Sequence, residues 1–248
     1  MLKIATLTLF PALFETYGGE GLFAKAAESG IVELETLDIR DFALDKHRTA
    51  DDIPYGGGAG MVMKPEPIVR AVESIENGYA GAEKLIMSPR GKLFTQAEAE
   101  RLSEAERLIV ICGRYKGIDG RVPDIIGARE VSIGDYVLSS GELAALAVID
   151  AIVRLIPGYL GDLDSAETDS HSGPNRLLSP PEFTRPREFR GHRVPEILLS
   201  GNHSAIDEWK RRQSLRLTFE RRPEIIDKTE LSREEIAYIE ALNGREEN

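Results

Sequence analysis

In three segments of the chain, an apolar run rich in β-branched residues is followed by a polar loop that contains glycine. They are residues 84–91, 111–119 and 132–142. Glycine at such points lets the backbone approach a ligand closely or adopt a positive φ. In open α/β sheets, ligands bind in the crevice beyond the carboxyl ends of the strands. Three loops of one kind therefore predict a single cradle for a small ligand.

Two charged side chains, Arg154 and Asp169, are candidates for chemistry beside such a ligand. Arg154 follows Asp150 by four residues in an apolar stretch, so an intrahelical ion pair is one interpretation. It also lies three residues before Pro157, at a predicted helix end from which it could reach a substrate. Asp169 is either a solvated loop carboxylate or a general base. The residues alone leave both alternatives open.

Other kinds of site have weak support. The glycine-rich loop at 54–61 has no Gly-x-Gly-x-x-Gly register, precedes no Gly-Lys-Ser/Thr and follows no strand-like run, which argues against a nicotinamide or ATP site. The four histidines are dispersed, so we predict no metal site. Cys112 is the single cysteine and ends an apolar run, which favours a buried, unreactive thiol.

The charge of the chain is unevenly distributed. A net charge of −11 at pH 7 would argue against a nucleic-acid partner. Residues 176–222, however, contain 11 Lys and Arg against 6 Asp and Glu. This basic segment inside an acidic protein indicates either an RNA-binding surface or a solvated helix face with scattered arginines.

The elements that must position these residues follow from hydrophobic periodicity. Strand-like runs alternate with helix-like stretches, which predicts βαβ units and a mainly parallel sheet. The predicted strands are 4–10, 32–39, 84–87, 108–112 and 130–133. The predicted helices include 96–105 after a capping box at Thr95, a buried helix at 143–156, and one that follows a capping box at Ser232 and ends at Gly244.

Composition also predicts the domain organisation. Residues 161–175 are rich in Ser and Asp and include Gly and Pro, typical of a flexible linker between two domains. The apolar stretch at 143–156 is too short to span a bilayer, and the N-terminus has the pattern of a first strand rather than a signal peptide. With a single cysteine, we expect a cytoplasmic protein with no membrane partner.

A series of short motifs extends over nearly the whole chain. The most specific are Ser132-Ile133-Gly134-Asp135-Tyr136-Val137-Leu138 and Leu199-Ser200-Gly201-Asn202-His203. The full series is 9–11, 40–42, 47–49, 51–58, 112–115, 117–119, 132–139, 156–158, 183–186, 199–203 and 221–224. In this series the chain resembles the bacterial tRNA (guanine-N1)-methyltransferases, the TrmD family of SPOUT knotted enzymes.

The resemblance implies a fold and a methyl donor. The fold would be α/β, a SPOUT-type parallel sheet with a deep trefoil knot, plus a small, mostly helical C-terminal domain. Residues 1–160 would form the knotted domain, 161–175 the linker and 176–248 the tRNA-binding domain. The donor is S-adenosylmethionine, with S-adenosylhomocysteine as product. Its implied binding residues are Met87, Ser88, Pro89, Gly113, Tyr115, Ile133, Gly134, Tyr136, Leu138 and Gly141.

The resemblance also implies a reaction and partners. Family members methylate N1 of the guanine 3′-adjacent to the tRNA anticodon (guanosine-37), as homodimers with shared active sites. Asp169 would accept the N1 proton and Arg154 would stabilise charge on the purine O6. A Mg²⁺ requirement is left open. The implied contacts to the tRNA anticodon stem-loop are Lys116, Asp119, Ser170, Arg185, His203, Arg211 and Arg212.

Some positions depart from the family pattern. Lys116 stands where Glu is usual, and the other departures are Ala59, Ser140, Ala144 and Glu182. The charge reversal at Lys116 is the best support for one alternative, a non-catalytic RNA-binding dimer of the same fold. A knotted methyltransferase with another RNA target is the second alternative.

Overall fold

The structure of the protein, a computed structural model, describes residues 1–160, 168–173 and 175–246. The chain divides into two compact units, Met1–Leu163 and Asp164–Asn248. Residues 161–167 and 174 of the predicted linker lie outside the described residues. Within the described ranges, no helix has both the length and the apolar character needed to cross a membrane.

A parallel sheet forms the centre of the first unit. The strands of this unit are β1 (Leu2–Thr8), β2 (Val32–Asp38), β3 (Asp51–Asp52), β4 (Val62–Met63), β5 (Glu83–Leu93), β6 (Arg107–Cys112) and β7 (Arg129–Ser132). Five of them form one sheet in the order β2-β1-β6-β5-β7, and all four pairings are parallel. The predicted α/β class with a parallel sheet is confirmed.

The sheet is buried on both faces, as parallel sheets usually are. Successive side chains of a strand point to opposite faces. In β1, Leu2 and Ile4 belong to one apolar cluster, whereas Ala5 and Leu7 belong to the other. This is why the strands read as continuous apolar runs in the sequence.

Helices cover the two faces. They are α1 (Pro11–Gly18), α2 (Gly21–Glu28), α3 (Pro65–Ile75), α4 (Gln96–Ser103), α5 (Val122–Ile126) and α6 (Glu142–Val153). Side chains of α1, α2, α4 and α6 join the first cluster, and those of α3 and α5 join the second. The helix predicted at 143–156 is therefore present as α6, packed against the sheet.

The capping box predicted at Thr95 is wrong, although the helix that follows it is present. Thr95 is the N-cap residue of α4 but makes no side-chain capping bond. The Glu98 carboxylate instead forms ion pairs with Arg101 and Arg129. Arg129 lies on β7, so the Glu98 side chain, which the capping box required, binds a partner from another part of the fold instead.

One strand departs from regular pairing in a way that shapes the site. In β5, Met87 and Lys92 are both in register with Val131 of β7, so residues 88–91 leave the ladder and return to it. A Cβ on Gly91 would lie 2.6 Å from the Glu130 carbonyl oxygen and still closer to the Val131 amide nitrogen. Only glycine lets the returning chain pass this close to β7.

The second unit is mostly helical and has its own small core. Its elements are the strands β8 (Glu188–Phe189) and β9 (His192–Arg193) and the helices α7 (His203–Arg221) and α8 (Arg233–Glu246), with three short 3-10 turns at Glu196–Leu199, Pro223–Ile225 and Lys228–Glu230. The core contains Leu177, Leu215, Leu231 and Ile239.

The capping box predicted at Ser232 is confirmed. The Ser232 amide donates to Glu235 Oε2 at 2.7 Å, and the Glu235 amide donates to Ser232 Oγ at 3.3 Å. The predicted helix end at Gly244 is wrong, because α8 continues to Glu246. Glycine permits a helix end but does not require one.

Gly91→Ala tests the close passage of β5 against β7. We expect a loss of about 1–3 kcal/mol of unfolding free energy, the typical cost of forcing extra volume into a packed site. Thermal unfolding followed by circular dichroism measures it. The control is Gly120→Ala, since a Cβ there meets nothing within 4 Å. Equal unfolding temperatures for the two variants would contradict this account.

Candidate functional site

A cavity of about 300 Å³ lies beyond the carboxyl ends of β5, β6 and β7, which are neighbours in the sheet. It is lined by residues within 86–90, 113–118, 130–134 and 136–141, together with Ala144 at the start of α6. This volume and this position are typical of small-molecule sites in open α/β sheets. The three glycine-containing loops predicted to form one cradle do meet at one cavity.

All ten residues predicted to hold the methyl donor line this cavity. They are Met87, Ser88, Pro89, Gly113, Tyr115, Ile133, Gly134, Tyr136, Leu138 and Gly141. The lining combines backbone from glycine-rich turns with apolar and aromatic side chains. Such a lining can bind a flat heterocycle and a short polar chain together.

The loops are held together by backbone contact at two glycines. The Gly141 amide donates to the Gly113 carbonyl oxygen at 2.7 Å. A Cβ on Gly141 would lie 2.9 Å from the Gly113 amide nitrogen and 3.1 Å from Met87 Cβ. All three loops therefore touch at one point, where there is no room for a side chain.

A buried carboxylate lies directly after this contact. Glu142, at the start of α6, is 1% exposed, and its Oε1 accepts a hydrogen bond from Thr8 Oγ1 at 2.7 Å. Thr8 Oγ1 in turn accepts from the Phe10 amide at 2.9 Å. This network ties α6 to the end of β1. Sequence reasoning missed it, because it placed the helix start at residue 143; the acid between Gly141 and the apolar run was the available signal.

Cys112, at the end of β6, is fully buried. Burial, with a smaller contribution from the charge of Glu142, raises the pKa of its thiol well above the ordinary value. A thiol that stays protonated is a poor nucleophile. This agrees with the interpretation of Cys112 as a structural residue.

Cationic side chains surround the cavity. The Arg114 guanidinium lies 4.5 Å from the centre of the Phe10 ring and 5.0 Å from that of Tyr115. Arg90 pairs with Glu130 at 2.7 Å. Because Glu130 neutralises Arg90, Arg114 and Lys116 are the cations of the cavity for which the described residues provide no carboxylate partner, and they favour a ligand that carries an anionic group.

Lys116 is exposed and lines the cavity. Its aliphatic stem would lie 3.1 Å from a Cβ placed on Gly60, and its amide donates to the Met61 carbonyl oxygen at 3.0 Å. The glycine-rich loop at 54–61 is thereby brought beside the cavity. The loop does not have the sequence of a phosphate-binding loop, but it lies at the edge of the cavity.

Asp119 does not line the cavity. Its carboxylate accepts hydrogen bonds from the Arg121 amide at 3.0 Å and from Arg121 Nε at 2.8 Å. The Arg121 guanidinium holds the pKa of Asp119 below its usual value. Asp119 therefore stabilises the turn that precedes α5.

Arg154 lies at the opposite end of α6 from the cradle. It lines a different cavity, of about 420 Å³, together with Tyr17, Asp150 and Tyr159. The Tyr17 hydroxyl donates to Asp150 Oδ1 at 2.8 Å, and burial together with this bond raises the pKa of Tyr17. Because the 12 residues of α6 lie between them, Arg154 and Gly141 are about 20 Å apart at a rise of about 1.5 Å per residue. Within one chain, Arg154 cannot act on a group bound in the cradle.

The remaining predicted residues belong to the second unit. Asp169 is half-buried, and Ser170 Oγ lies 2.9 Å from Ser179 Oγ. Arg185 and His203 are exposed.

Two further predicted tRNA contacts already have carboxylate partners. Arg211 Nε lies 2.6 Å from Glu235, and Arg212 pairs with Glu208 at 2.7 Å. In the part of the chain that the structure describes, no three histidine, cysteine or carboxylate side chains are grouped so as to hold a metal ion.

Comparison with known proteins identifies relatives over nearly the full length. Residues 2–228 match the family model described as tRNA (Guanine-1)-methyltransferase TrmD. A tRNA (guanine-N(1)-)-methyltransferase of Dehalococcoides mccartyi is 50% identical over 246 residues, which cover 99% of this chain and 98% of the relative. The enzyme of that name from Dictyoglomus turgidum is 48% identical over 242 residues, 98% of this chain and 97% of its own.

Gly141→Ala tests whether the close contact of the three loops forms the ligand site. An added methyl group at a packed position costs about 1–3 kcal/mol, so we expect S-adenosylmethionine to bind about tenfold more weakly or worse. Isothermal titration calorimetry measures the affinity, and Gly120→Ala is the control outside the cavity. Unchanged affinity in Gly141→Ala would show that the contact is dispensable.

Proposed function

The chain belongs to the tRNA (guanine-1)-methyltransferase family, and we propose that it transfers a methyl group from S-adenosylmethionine to N1 of guanosine-37, the guanine 3′-adjacent to the tRNA anticodon. The observation that carries the proposal is the single cavity lined by all ten predicted donor residues. The basic segment at 176–222 supports an RNA substrate.

The cavity fits such a donor in size and lining. Side chains of Ile133 and Leu138 offer apolar contact to an adenine ring, and the lining glycines let a ligand approach the backbone closely. S-adenosylmethionine supplies a methyl group on a positively charged sulfur, so the leaving group is a neutral thioether and needs no acid. The protein must therefore align the donor and acceptor and remove one proton.

A deep trefoil knot is part of the proposal. Its support is the passage of Gly91 against the backbone of β7 and the contact of Gly141 with Gly113. Both contacts bring loop backbones together more closely than any side chain would permit. A knot would hold the cradle in shape before the donor binds, which lowers the entropic cost of binding.

Asp169 and Arg154 are the proposed catalytic residues. Guanine N1 carries a proton, so as the bond from N1 to the methyl carbon forms and the carbon–sulfur bond breaks, that proton passes to the Asp169 carboxylate. Charge that develops on O6 during this step is stabilised by the Arg154 guanidinium, a permanently charged donor. The target base must leave its stack to enter the site, which is least costly in a loop.

The working unit is proposed to be a homodimer with shared sites. Arg154 lies about 20 Å along α6 from the cradle of its own chain, so a second copy in the opposite orientation would bring its Arg154 to that cradle. Asp169 would also come from the second copy. Leu143 on α6, Leu13 on α1 and Val137 beside the cavity are exposed apolar side chains, as expected of a surface that a partner covers.

The proposed contacts to the tRNA are Lys116, Asp119, Ser170, Arg185, His203, Arg211 and Arg212. The arginines among them would hold the phosphates of the anticodon stem-loop, which supplies affinity more than sequence selection. Lys116 lies at the cavity and replaces the usual family Glu, so it adds a positive charge where a polyanion approaches.

A methyl-transfer assay with labelled S-adenosylmethionine tests the activity. We expect transfer to an unmodified tRNA transcript with guanine at the last anticodon position and at position 37, and none to a transcript that lacks the second guanine. Mass spectrometry of nuclease digests locates the methyl group. Donor and tRNA binding without transfer would favour the non-catalytic alternative, and Lys116→Glu would then be the rescue variant. Transfer to another position would favour the second alternative, a knotted methyltransferase with another RNA target.

Asp169→Asn tests both the base and the sharing of sites. Alone, we expect it to bind S-adenosylmethionine normally and to lose nearly all turnover, because the amide cannot accept the N1 proton. Mixing it with Gly141→Ala under conditions of subunit exchange, at a donor concentration far below the dissociation constant of Gly141→Ala, should give more activity than the two variants show separately, since a mixed dimer has one intact cradle and one intact Asp169 in the same site. Turnover by Asp169→Asn alone would remove the carboxylate from the mechanism, and no recovery on mixing would argue for a site within one chain.

A further inference from the structure

We propose that the β8–β9 hairpin, with the segment that leads into it, is the main RNA-contacting surface of the second unit. The surface comprises residues 185–193 and is called the arginine hairpin below. The inference rests on the proposed function, because the RNA that this surface would contact is the tRNA substrate. The expectation drawn from sequence named only Arg185 of this surface and placed three other contacts, His203, Arg211 and Arg212, on α7.

The arginine hairpin has a defined shape. Glu188 and Phe189 pair antiparallel with Arg193 and His192, and the two residues between the strands have φ values of 51° at Arg190 and 81° at Gly191. Two consecutive positive φ values in a two-residue loop are typical of a type I′ turn, whose twist matches that of the strands. The turn therefore holds Arg190 at its tip.

The charges of the arginine hairpin are available to a ligand. The surface has four arginines and one glutamate, and every residue from 182 to 193 is exposed. Arg193 pairs with Glu188 at 2.7 Å. Among the described residues, Arg185, Arg187 and Arg190 have no carboxylate within 4 Å.

Most cations of α7 are held by carboxylates, and Arg221 is the one for which the described residues provide no carboxylate within 4 Å. Arg211, Arg212 and Arg216 pair with Glu235, Glu208 and Glu220 at 2.6, 2.7 and 2.6 Å. To bind a phosphate, each would have to leave its partner or bring the partner's negative charge toward the RNA. The net positive field that attracts a polyanion therefore originates more from the arginine hairpin than from the helix.

An exposed aromatic ring points to RNA rather than to an acidic protein. Phe189 is 63% exposed, and the Arg190 guanidinium lies 5.3 Å from the centre of its ring. By contrast, Phe183 packs against Trp209 with ring centres 6.4 Å apart. Unpaired nucleic-acid bases stack on aromatic rings and on guanidinium planes, so a ring and arginines at one turn can hold a base and its phosphates together.

The test compares two double variants by the salt dependence of tRNA binding. Arg187→Ala with Arg190→Ala removes two unpaired cations. The matched control, Arg216→Ala with Arg222→Ala, removes two arginines that are paired with Glu220 and Glu224. We expect the hairpin variant to bind tRNA about tenfold more weakly and to reduce the slope of log K against log salt by about 1 to 2, because counterions released at phosphates set that slope. The control should change both values far less.

Phe189→Leu separates stacking from charge. It should weaken tRNA binding severalfold at every salt concentration and leave the slope unchanged, because leucine cannot stack on a base. Unchanged binding by this variant would overturn the stacking role.

Methyl transfer distinguishes the failure of this inference from failure of the proposed function. The hairpin double variant should raise KM for tRNA and leave kcat unchanged. A wild-type protein that binds tRNA but transfers no methyl group would refute the activity, while the binding comparison still tests the arginine hairpin. Two results would refute the arginine hairpin while leaving the activity intact. In the first, the protein is active, and the wild type and the hairpin variant bind tRNA with equal affinity and equal salt dependence. In the second, both double variants lose tRNA affinity to the same extent.

Discussion

The close approach of backbone to backbone at the carboxyl edge of the sheet is the constraint on which the rest of the first unit depends. Gly91 passes against β7, and Gly141 touches both Gly113 and Met87. Each contact leaves no space for a Cβ, so three loops that are distant in sequence converge on one cavity. Because packed interiors adapt little to added volume, the shape of this cavity is set by the fold and not by the flexible side chains around it.

Helix α6 begins at this contact, so the contact also fixes the position of the far end of the helix. Glu142 anchors the start of α6 to β1 through Thr8, and the apolar side chains of the helix bury it against the sheet. Arg154 is therefore held in a fixed position, far from the cradle of its own chain. In the proposed homodimer, two antiparallel copies would bring the Arg154 of each chain to the cradle of the other, because one twofold axis would complete both sites at once.

Electrostatics are organised differently in the second unit. Most arginines of α7 are neutralised by carboxylates that lie one turn away or on α8, and they stabilise the packing of the unit. The arginine hairpin leaves its cations exposed on a short turn. The same basic segment thus contains two kinds of arginine, and only the geometry of their neighbours distinguishes them.

The sequence by itself determined the α/β class, the five strands of the parallel sheet and the buried helix, because these depend on hydrophobic periodicity, which is a local property. The glycines at strand ends predicted one cradle, and the resemblance to the family named the ten residues that line its cavity. Only the tertiary structure decided which partners the charged side chains contact and how far apart the predicted site residues lie. Glu98 pairs with Arg129 instead of capping its helix, Arg211 pairs with Glu235, and the length of α6 separates Arg154 from Gly141. The physical reason is that a charge pairs with whatever partner the fold brings within reach, and a local pattern carries no information about that distance.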